Sequence, residues 1–488
     1  NMDRQKHFFT LFLGTGLNVI LGIITTPVVT RLVNPDVYGQ LSIFTLYGSI
    51  LMVFMLFGQD QAYNRFYYAR PEREYKRYIL GLTAKIPILL SIVISVVICI
   101  YYVLSGSDNK VLLIFAVYTI SMVVDRFTNT TLRLDMKSAM YSFTMNMQKL
   151  TYTMFVVIAV YFTDISHILI LTGCTVLAQI VSCVIGIIVE RDMWRPETFL
   201  SNKNSRYIRV VNFRKTFRYG WPFIFSSLCA WLFTGADKLM IQFLSNDTQL
   251  GIYASALSVI GIFSVITNTF TTIWAPMAVE EYEKKSGSTE FFVKATDYIA
   301  IVLFAAGACV ILFKDLIVFL LGPEYREAVF LIPFLSLYPV LYTISESTVY
   351  GINFLQKTHW HIIITGACGL LNVVLNYFLI KAMGSLGAAV ATGITYTALL
   401  ILRTYFSLKC FPVKYHLKKM AVMIVMYYVF VIYNSYFKIN WTSVIMFIIM
   451  AVMGILLYGD RMSELFVMTR DYLFKIVKKY KKKDSDNI

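Results

Sequence analysis

Long apolar stretches follow one another along the chain from Phe8 to Tyr458, and only short polar loops separate them. A bilayer's hydrocarbon core is about 30 Å thick and a helix rises about 1.5 Å per residue, so each stretch is long enough to cross a membrane once. The pattern predicts an all-α polytopic membrane protein with fourteen spans. Their predicted bounds are 8–31, 38–58, 81–104, 111–132, 143–162, 166–189, 219–244, 250–274, 297–321, 328–350, 361–380, 386–408, 417–436 and 441–459.

The composition supports the same class of protein. Hydrophobic residues make up 58% of the 488 residues, and the mean hydropathy is +0.65. A water-soluble domain with a charged exterior does not sustain such values over a chain of this length. The seven cysteines are scattered in or beside apolar stretches, at spacings that predict neither a disulfide framework nor a metal site.

Positive charge is distributed unequally between the two sides of the predicted membrane. Of the 44 Lys and Arg residues, five lie in odd-numbered loops, five lie within spans, and all the others lie at the termini or in even-numbered loops. Because cytoplasmic loops retain positive charge, both termini are predicted to be cytoplasmic. The net charge of +16 then faces anionic membrane lipids, so we expect these lipids as partners and expect no nucleic-acid binding.

An internal repeat is indicated by two matches at nearly the same offset. In the first, residues 26–42 align with residues 238–254, and a second match follows later in the chain in the same order. The first match pairs Leu32 with Leu244, Asn34 with Asn246 and Gly39 with Gly251. Six spans in each half cross an even number of times, so the two halves share one orientation and are predicted to enclose a cavity.

The repeat gives a predicted domain organisation of five parts. They are an N-terminal six-helix lobe (1–190), a basic cytoplasmic linker (191–218), a C-terminal six-helix lobe (219–409), two additional transmembrane helices (410–459) and a basic cytoplasmic tail (460–488).

Charged side chains within spans are costly to bury, so each is a functional candidate. The first lobe carries mainly cations there, which favours a cavity that faces an anionic substrate. The predicted substrate-binding residues are Arg31, Arg65, Lys85, Arg126, Lys149 and Lys238. The alternative is that such charges pair with neighbours or extend to the interface, and we expect Lys314 and Asp315 to form a local pair.

A second group of polar residues suits a small cation. Asn372 and Asn376 are four residues apart, so both amides lie on one helical face. Carboxylate, amide and hydroxyl oxygens are ligands for hard cations. The predicted coupling-ion residues are Asp237, Glu346, Asn372, Asn376, Thr392 and Thr395. The alternative is that they only join helices by hydrogen bonds.

Three segments resemble the polysaccharide-transporter branch of the MOP superfamily, the Wzx-type flippases. They are LNVVLNYFLIKAMGSLGAAVATG (371–393), TPVVTRLVNPDVYGQLS (26–42) and GADKLMIQFLSNDTQLGIYASA (235–256). The resemblance implies a two-lobed, V-shaped transporter with a central cavity in the bacterial cytoplasmic membrane. It also implies that the protein moves an undecaprenyl-diphosphate-linked oligosaccharide to the outer leaflet by alternating access, without breaking a covalent bond. We expect a monomer that works beside the polysaccharide assembly machinery.

The related lipid II flippases are similar at one further site. Their sodium ion is bound by a seventh-span Asp, eleventh-span polar residues and a twelfth-span Thr, which correspond here to Asp237, to the asparagine pair, and to Thr392 or Thr395. Both eleventh-span residues are neutral in this chain, where the family pattern has an acidic residue. The charge that compensates a cation is therefore reduced, and the coupling ion is left open between Na⁺ and H⁺.

Two other functions are weighed against this hypothesis. A multidrug or cation antiporter of the same superfamily has the same fold, but its cavity should be acidic or apolar. A polytopic glycosyltransferase or polysaccharide polymerase handles similar lipids, but such enzymes need a large outer loop or an interfacial carboxylate. We expect no catalytic residues, no metal beyond the coupling ion, and a transporter rather than an enzyme.

Overall fold

A computed structural model describes residues 2–200, 207–284, 289–355, 357 and 359–485 of the chain. Residues 201–206 of the predicted linker and 486–488 of the predicted tail lie outside the described residues. The described part is helical and contains no strand, which confirms the all-α fold class. One 3₁₀ turn, Pro323–Tyr325, accompanies twenty α-helices. They are α1 (Met2–Leu32), α2 (Pro35–Leu56), α3 (Gln59–Phe66), α4 (Arg73–Leu104), α5 (Val111–Leu134), α6 (Ser138–Phe162), α7 (His167–Val189), α8 (Pro196–Leu200), α9 (Phe213–Gly220), α10 (Pro222–Leu244), α11 (Asp247–Ile260), α12 (Phe263–Glu283), α13 (Glu290–Leu312), α14 (Lys314–Leu320), α15 (Ala328–Thr348), α16 (Tyr350–Phe354), α17 (His359–Met383), α18 (Ser385–Cys410), α19 (Leu417–Tyr436) and α20 (Trp441–Ser485).

Twelve helical segments of the described chain are long and apolar enough to cross a membrane, or thirteen if one bent pair is a single span. The bent pair is α11 with α12, which meet at 48° and divide the predicted eighth span. The predicted count of fourteen also includes α6, which has the length of a span but is not among the twelve. Polar residues such as Asn146, Gln148 and Lys149 lower the hydropathy of α6.

The described helices pack into two compact units. The first comprises residues 1–265, 319–328 and 365–388, and the second comprises 266–318, 329–364 and 389–488. These units are defined by packing in this conformation. The predicted lobes come from the sequence repeat instead, so the boundaries of the packed units differ from those of the predicted lobes.

Residues aligned by the first repeat match occupy equivalent positions in the first unit. Asn34 caps α2 by accepting a hydrogen bond from the Val37 backbone N–H, and Asn246 caps α11 in the same way through Gln249. Asparagine is favoured there because its side-chain oxygen satisfies a backbone donor that the first turn leaves open. The same local signal therefore starts α2 and α11.

The two helices then cross at the aligned glycines. A Cβ atom on Gly39 would overlap the backbone carbonyl of Asp247, and a Cβ atom on Gly251 would overlap the carbonyl of Pro35. Asp247 is the repeat equivalent of Pro35, so the contact is reciprocal. Only a residue without a side chain lets the two backbones approach this closely.

A charged cluster joins three loops of the first unit at the helix ends predicted to be cytoplasmic. Asp135 accepts hydrogen bonds from Tyr67 at 2.5 Å, from Lys76 at 3.0 Å and from Arg73. Arg73 also pairs with the buried Glu190 at 2.5 Å. Burial raises the pKa of the Asp135 carboxyl. The hydrogen bonds from Tyr67, Arg73 and Lys76 together lower that pKa by more than burial raises it, so the pKa lies below the usual value.

This cluster predicts a stability effect at Asp135. Because its folded pKa is depressed, the carboxylate stabilises the fold above its unfolded pKa of about 3.9, and that contribution is lost as pH falls through the folded pKa. We expect Asp135→Asn to lower the free energy of unfolding by about 2–3 kcal/mol at pH 7. Denaturant unfolding of the purified protein measures this, with the exposed Asp164→Asn as control. An equal effect of the two substitutions at pH 7 would contradict the assignment.

Lys314 and Asp315 do not form the expected local pair. The buried Lys314 ammonium donates to the backbone carbonyls of Asn434 and Phe437, and Asp315 accepts from the Ile439 N–H at 2.8 Å. Both side chains therefore fix the turn between α19 and α20. Sequence proximity suggested a pair, but the open carbonyls at the end of α19 are better partners for the ammonium group.

Candidate functional site

A cavity of about 410 Å³ lies within the first unit. Its walls come from α1, α2, α6, α7, α10 and α11, so it is built from both predicted repeats. The lining is mainly hydroxyl, amide and small apolar groups. The lining residues are Thr25, Thr26, Val29, Tyr38, Leu41, Ser42, Thr45, Gln148, Lys149, Tyr152, Thr175, Ala178, Lys238, Ala254 and Ser258.

Two lysines from different helices line this cavity. Lys149 lies in the middle of α6, and Lys238 lies on α10. The Lys149 ammonium donates to the backbone carbonyl of Asn18 at 2.9 Å, which leaves two of its three protons for other acceptors. The lining residues include no Asp or Glu. The cavity is therefore cationic, with neutral hydrogen-bonding groups around the charges.

The walls are held together by hydrogen bonds between helices. Thr25 on α1 and Thr153 on α6 are joined at 2.7 Å, and Tyr38 on α2 and Ser258 on α11 are joined at 3.4 Å. The second bond connects the two predicted repeats across the cavity lining. These bonds place the lysines against walls of defined geometry, which is what recognition of a charged group requires.

Three predicted coupling-ion residues form one buried cluster. Asp237 accepts hydrogen bonds from the Tyr253 hydroxyl at 2.8 Å and from the Asn376 amide at 2.5 Å. The same amide donates to Asn372 at 2.9 Å. The side-chain oxygen of Asn376 is buried and makes no hydrogen bond. The cluster thus combines one carboxylate with a buried amide oxygen that lacks a partner.

The structure places Glu346, Thr392 and Thr395 in the second unit. Glu346 pairs with Arg403 at 2.5 Å, and both side chains are largely buried. Thr395 donates to the Ala391 carbonyl at 2.8 Å within its own helix, and Thr392 is buried on the same helix. Glu346 therefore has a cationic partner that already balances its charge.

The other predicted substrate-binding cations lie away from the lining of this cavity. Arg126 pairs with Asp60 at 2.7 Å, and their side chains are 40% and 7% exposed. Arg31 donates to the Leu320 carbonyl at 2.9 Å, and Arg65 and Lys85 are exposed. Of the six predicted cations, the structure brings Lys149 and Lys238 together at one cavity.

Several contributing residues were not singled out from the sequence. Tyr38, Tyr152 and Gln148 line the cavity, Tyr253 binds Asp237, and Asp60 neutralises Arg126. The aligned repeat could have drawn attention to Tyr38, because it lies inside the matched segment. The sequence carries no comparable signal for Asp60, which precedes its partner by a whole membrane span.

Lysines among neutral hydrogen-bonding groups have the chemistry to bind an anionic group. The two ammonium groups supply charge-assisted hydrogen bonds, which are stronger than neutral ones. Four of the six helices around it, α1, α2, α7 and α10, are long and apolar enough to cross a membrane. Fold and site together describe a polytopic membrane protein with a basic internal cavity.

The family model for polysaccharide biosynthesis proteins matches residues 5–281 of the chain, which therefore belongs to this family. This family assignment confirms the resemblance to polysaccharide transporters noted in the sequence. A sequence comparison with curated proteins gives no significant match.

Solved structures show the same fold at low sequence identity. The lipid II flippase MurJ in an inward closed conformation is 16% identical, with a TM-score of 0.65 over 95% of this chain and 99% of that one. An inward-facing multidrug resistance MATE transporter of the MOP superfamily is 16% identical, with a TM-score of 0.53 over 81% of this chain and 93% of that one. Its outward-facing form gives the same TM-score over 82% of this chain and 93% of that one.

Proposed function

We propose that this protein is a flippase that moves an undecaprenyl-diphosphate-linked oligosaccharide from the cytoplasmic to the outer leaflet of the bacterial cytoplasmic membrane by alternating access. The proposal includes cytoplasmic termini, as the distribution of Lys and Arg favours. The observation that supports this function most strongly is that Lys149 and Lys238 line a single cavity whose lining residues include no acidic side chain.

The substrate class follows from the charge of the cavity. A diphosphate is anionic at neutral pH, and ammonium groups bind its oxygens through charge-assisted hydrogen bonds. The hydroxyl and amide groups of Thr25, Ser42 and Gln148 suit the polar sugar next to it. The lipid II flippase MurJ has the same fold, which supports a lipid-linked substrate here.

The competing function within the superfamily is export of organic cations. Lys149 and Lys238, in a lining without acidic residues, disfavour a cationic drug, since like charges in a poorly solvated site repel each other strongly. Purified protein in vesicles should therefore translocate a fluorescent undecaprenyl-diphosphate glycan and should not transport organic cations such as ethidium. Accumulation of ethidium without glycan translocation would overturn the proposal.

We further propose that Asp237, Asn372 and Asn376 bind the coupling cation. The buried, unpartnered oxygen of Asn376 supports this, because exchanging the ends of its amide would turn an oxygen toward Asp237 and create a set of three oxygen ligands. The asparagines are neutral, so the site carries a single negative charge. That charge balances one monovalent cation, either Na⁺ or H⁺.

The substitution Asp237→Asn should remove the dependence of transport on the ion gradient, because it removes the only negative charge from this cluster. The measurement is the glycan translocation rate in vesicles with and without an imposed sodium or proton gradient. The wild type should respond to one gradient, and the variant should respond to neither.

The matched comparison for this prediction is Glu346→Gln. Glu346 is already neutralised by Arg403, so this variant should keep the gradient response of the wild type. A response that survives in Asp237→Asn and disappears in Glu346→Gln would transfer the coupling site to Glu346.

A further inference from the structure

A second cavity, a groove of about 730 Å³, lies where α9 runs into α10. Phe57, the residue that ends α2, forms its opposite side, and its ring stacks on that of Phe217 with centroids 5.5 Å apart. The groove belongs entirely to the first unit. Its lining residues are Phe57, Asn212, Arg214, Lys215, Phe217, Arg218, Trp221, Ile224 and Phe225.

The groove is strongly basic. Arg214, Lys215 and Arg218 are all exposed, and the lining residues include no Asp or Glu. Lys215 donates to the Val210 carbonyl at 3.0 Å and lies 6.0 Å from the centre of the Phe66 ring. Arg214 and Arg218 are exposed and lie one helical turn apart, and guanidinium groups are favoured partners of phosphate.

Basic and aromatic residues are ordered along one face of the helix. Residues 213–244 form one helical stretch that contains an apolar window long enough to cross a membrane, and Arg214, Arg218, Trp221 and Phe225 follow one another at spacings of four, three and four. Such spacings place all four on one side of a helix. Trp221 and Phe225 are 44% and 61% exposed, although they are large and apolar. Charge therefore lies at the helix end and apolar surface lies deeper in the span.

This order matches the order of groups in an anionic phospholipid. The phosphate of a lipid lies at the level where Lys and Arg are favoured, and the acyl chain begins at the level of the aromatic belt. Anionic headgroups attract each nearby Lys or Arg. A zwitterionic lipid has the same acyl chains but lacks the net charge that the two arginines would neutralise.

Two helical junctions meet beside the groove. Gly58 has a left-handed backbone with φ +69°, and a Cβ atom on Gly58 or Gly220 would overlap the backbone of the other. A molecule that contacts both Phe57 and α9 therefore bridges the end of α2 and the start of α10. Its binding should stabilise this junction.

We propose that this groove is a specific binding site for one anionic membrane phospholipid. Its phosphate is bound by Arg214 and Arg218, and one acyl chain lies along Trp221 and Phe225. The site is separate from the cavity that contains Lys149 and Lys238, and it does not depend on the transported substrate.

The test uses the purified full-length protein in detergent, titrated with phosphatidylglycerol whose acyl chains carry bromine. Bromine quenches nearby tryptophan, so the contribution of Trp221 is the difference between the wild type and Trp221→Phe. In the variant Arg214→Gln/Arg218→Gln, we expect the half-saturating lipid concentration to rise about tenfold or more. Phosphatidylglycerol should also raise the melting temperature of the wild type more than that of this variant.

The matched control is Lys414→Gln/Lys418→Gln, which removes the same charge from exposed positions elsewhere. It should bind phosphatidylglycerol like the wild type, and brominated phosphatidylcholine should bind weakly to all forms. Four results would overturn the proposal: equal binding of both lipids, equal weakening by both double variants, displacement of the lipid by the same concentration of inorganic phosphate, or stronger binding of undecaprenyl diphosphate than of phosphatidylglycerol at this tryptophan.

Discussion

Replacing Lys149 and Lys238 together by glutamine is expected to slow translocation of a diphosphate-linked glycan by about a hundredfold or more. A hydrogen bond to a charged group contributes about 1.5–3 kcal/mol, and each 1.4 kcal/mol corresponds to a factor of ten. Both ammonium groups face the same cavity and meet no carboxylate among its lining residues, so the variant loses binding energy that nothing else in the lining restores. Each single substitution should cost about tenfold.

A control of equal charge separates this effect from a general loss of positive potential. Lys85 and Lys110 are exposed, and their replacement by glutamine removes two charges without touching the cavity. This double variant should translocate the glycan at a rate close to that of the wild type. If both double variants were equally slow at matched expression, the cavity would not be the substrate site.

The second large effect is expected at the crossing of α2 and α11. An alanine at Gly39 or Gly251 would place its Cβ on a backbone carbonyl of the other helix, so the helices must separate. Overpacking a well-packed contact costs about 1–3 kcal/mol, and a backbone obstacle leaves little room to relax. We expect Gly251→Ala to depopulate the observed crossing by at least about tenfold.

Disulfide cross-linking measures this population directly. The side chains of Asp36 and Thr248 lie within 3.4 Å at the crossing, so cysteines placed there in a background without the seven native cysteines should cross-link. The cross-linking rate should fall by about tenfold or more when Gly251→Ala is added. Gly173→Ala is the control, because no atom lies within 4 Å of the position its Cβ would occupy. Equal rates in the two backgrounds would show that the crossing tolerates a methyl group.

The sequence predicted the helices well because hydrophobicity and length decide whether a segment crosses a membrane. It did not predict the bend between α11 and α12, since a glycine inside an apolar run is compatible with a straight or a broken helix. It also began the seventh span at residue 219, whereas the helical stretch that contains this span already starts at Phe213. The basic residues of α9 suggested a linker, but in the structure they form a helix that leads directly into α10.

The candidate sites were predicted only in part. Asn372 and Asn376 share a helical face by spacing alone, but their contact with Asp237 depends on how distant helices pack. Arg126 was expected to face the substrate, because its neighbour Asp125 points in another direction. The carboxylate that pairs with it, Asp60, comes from another helix. Partners of intramembrane charges are set by tertiary packing, which one sequence does not encode in a local pattern.

Recognition of the diphosphate by the cavity lysines is tested most directly by comparing two glycolipids that differ only in phosphate. Purified protein is reconstituted in vesicles with the same oligosaccharide attached to undecaprenol either through a diphosphate or through a neutral glycosidic bond. We expect rapid translocation of the diphosphate lipid, slow translocation of the neutral lipid, and loss of this difference in Lys149→Gln/Lys238→Gln. Equal translocation of both lipids by the wild type would contradict this expectation.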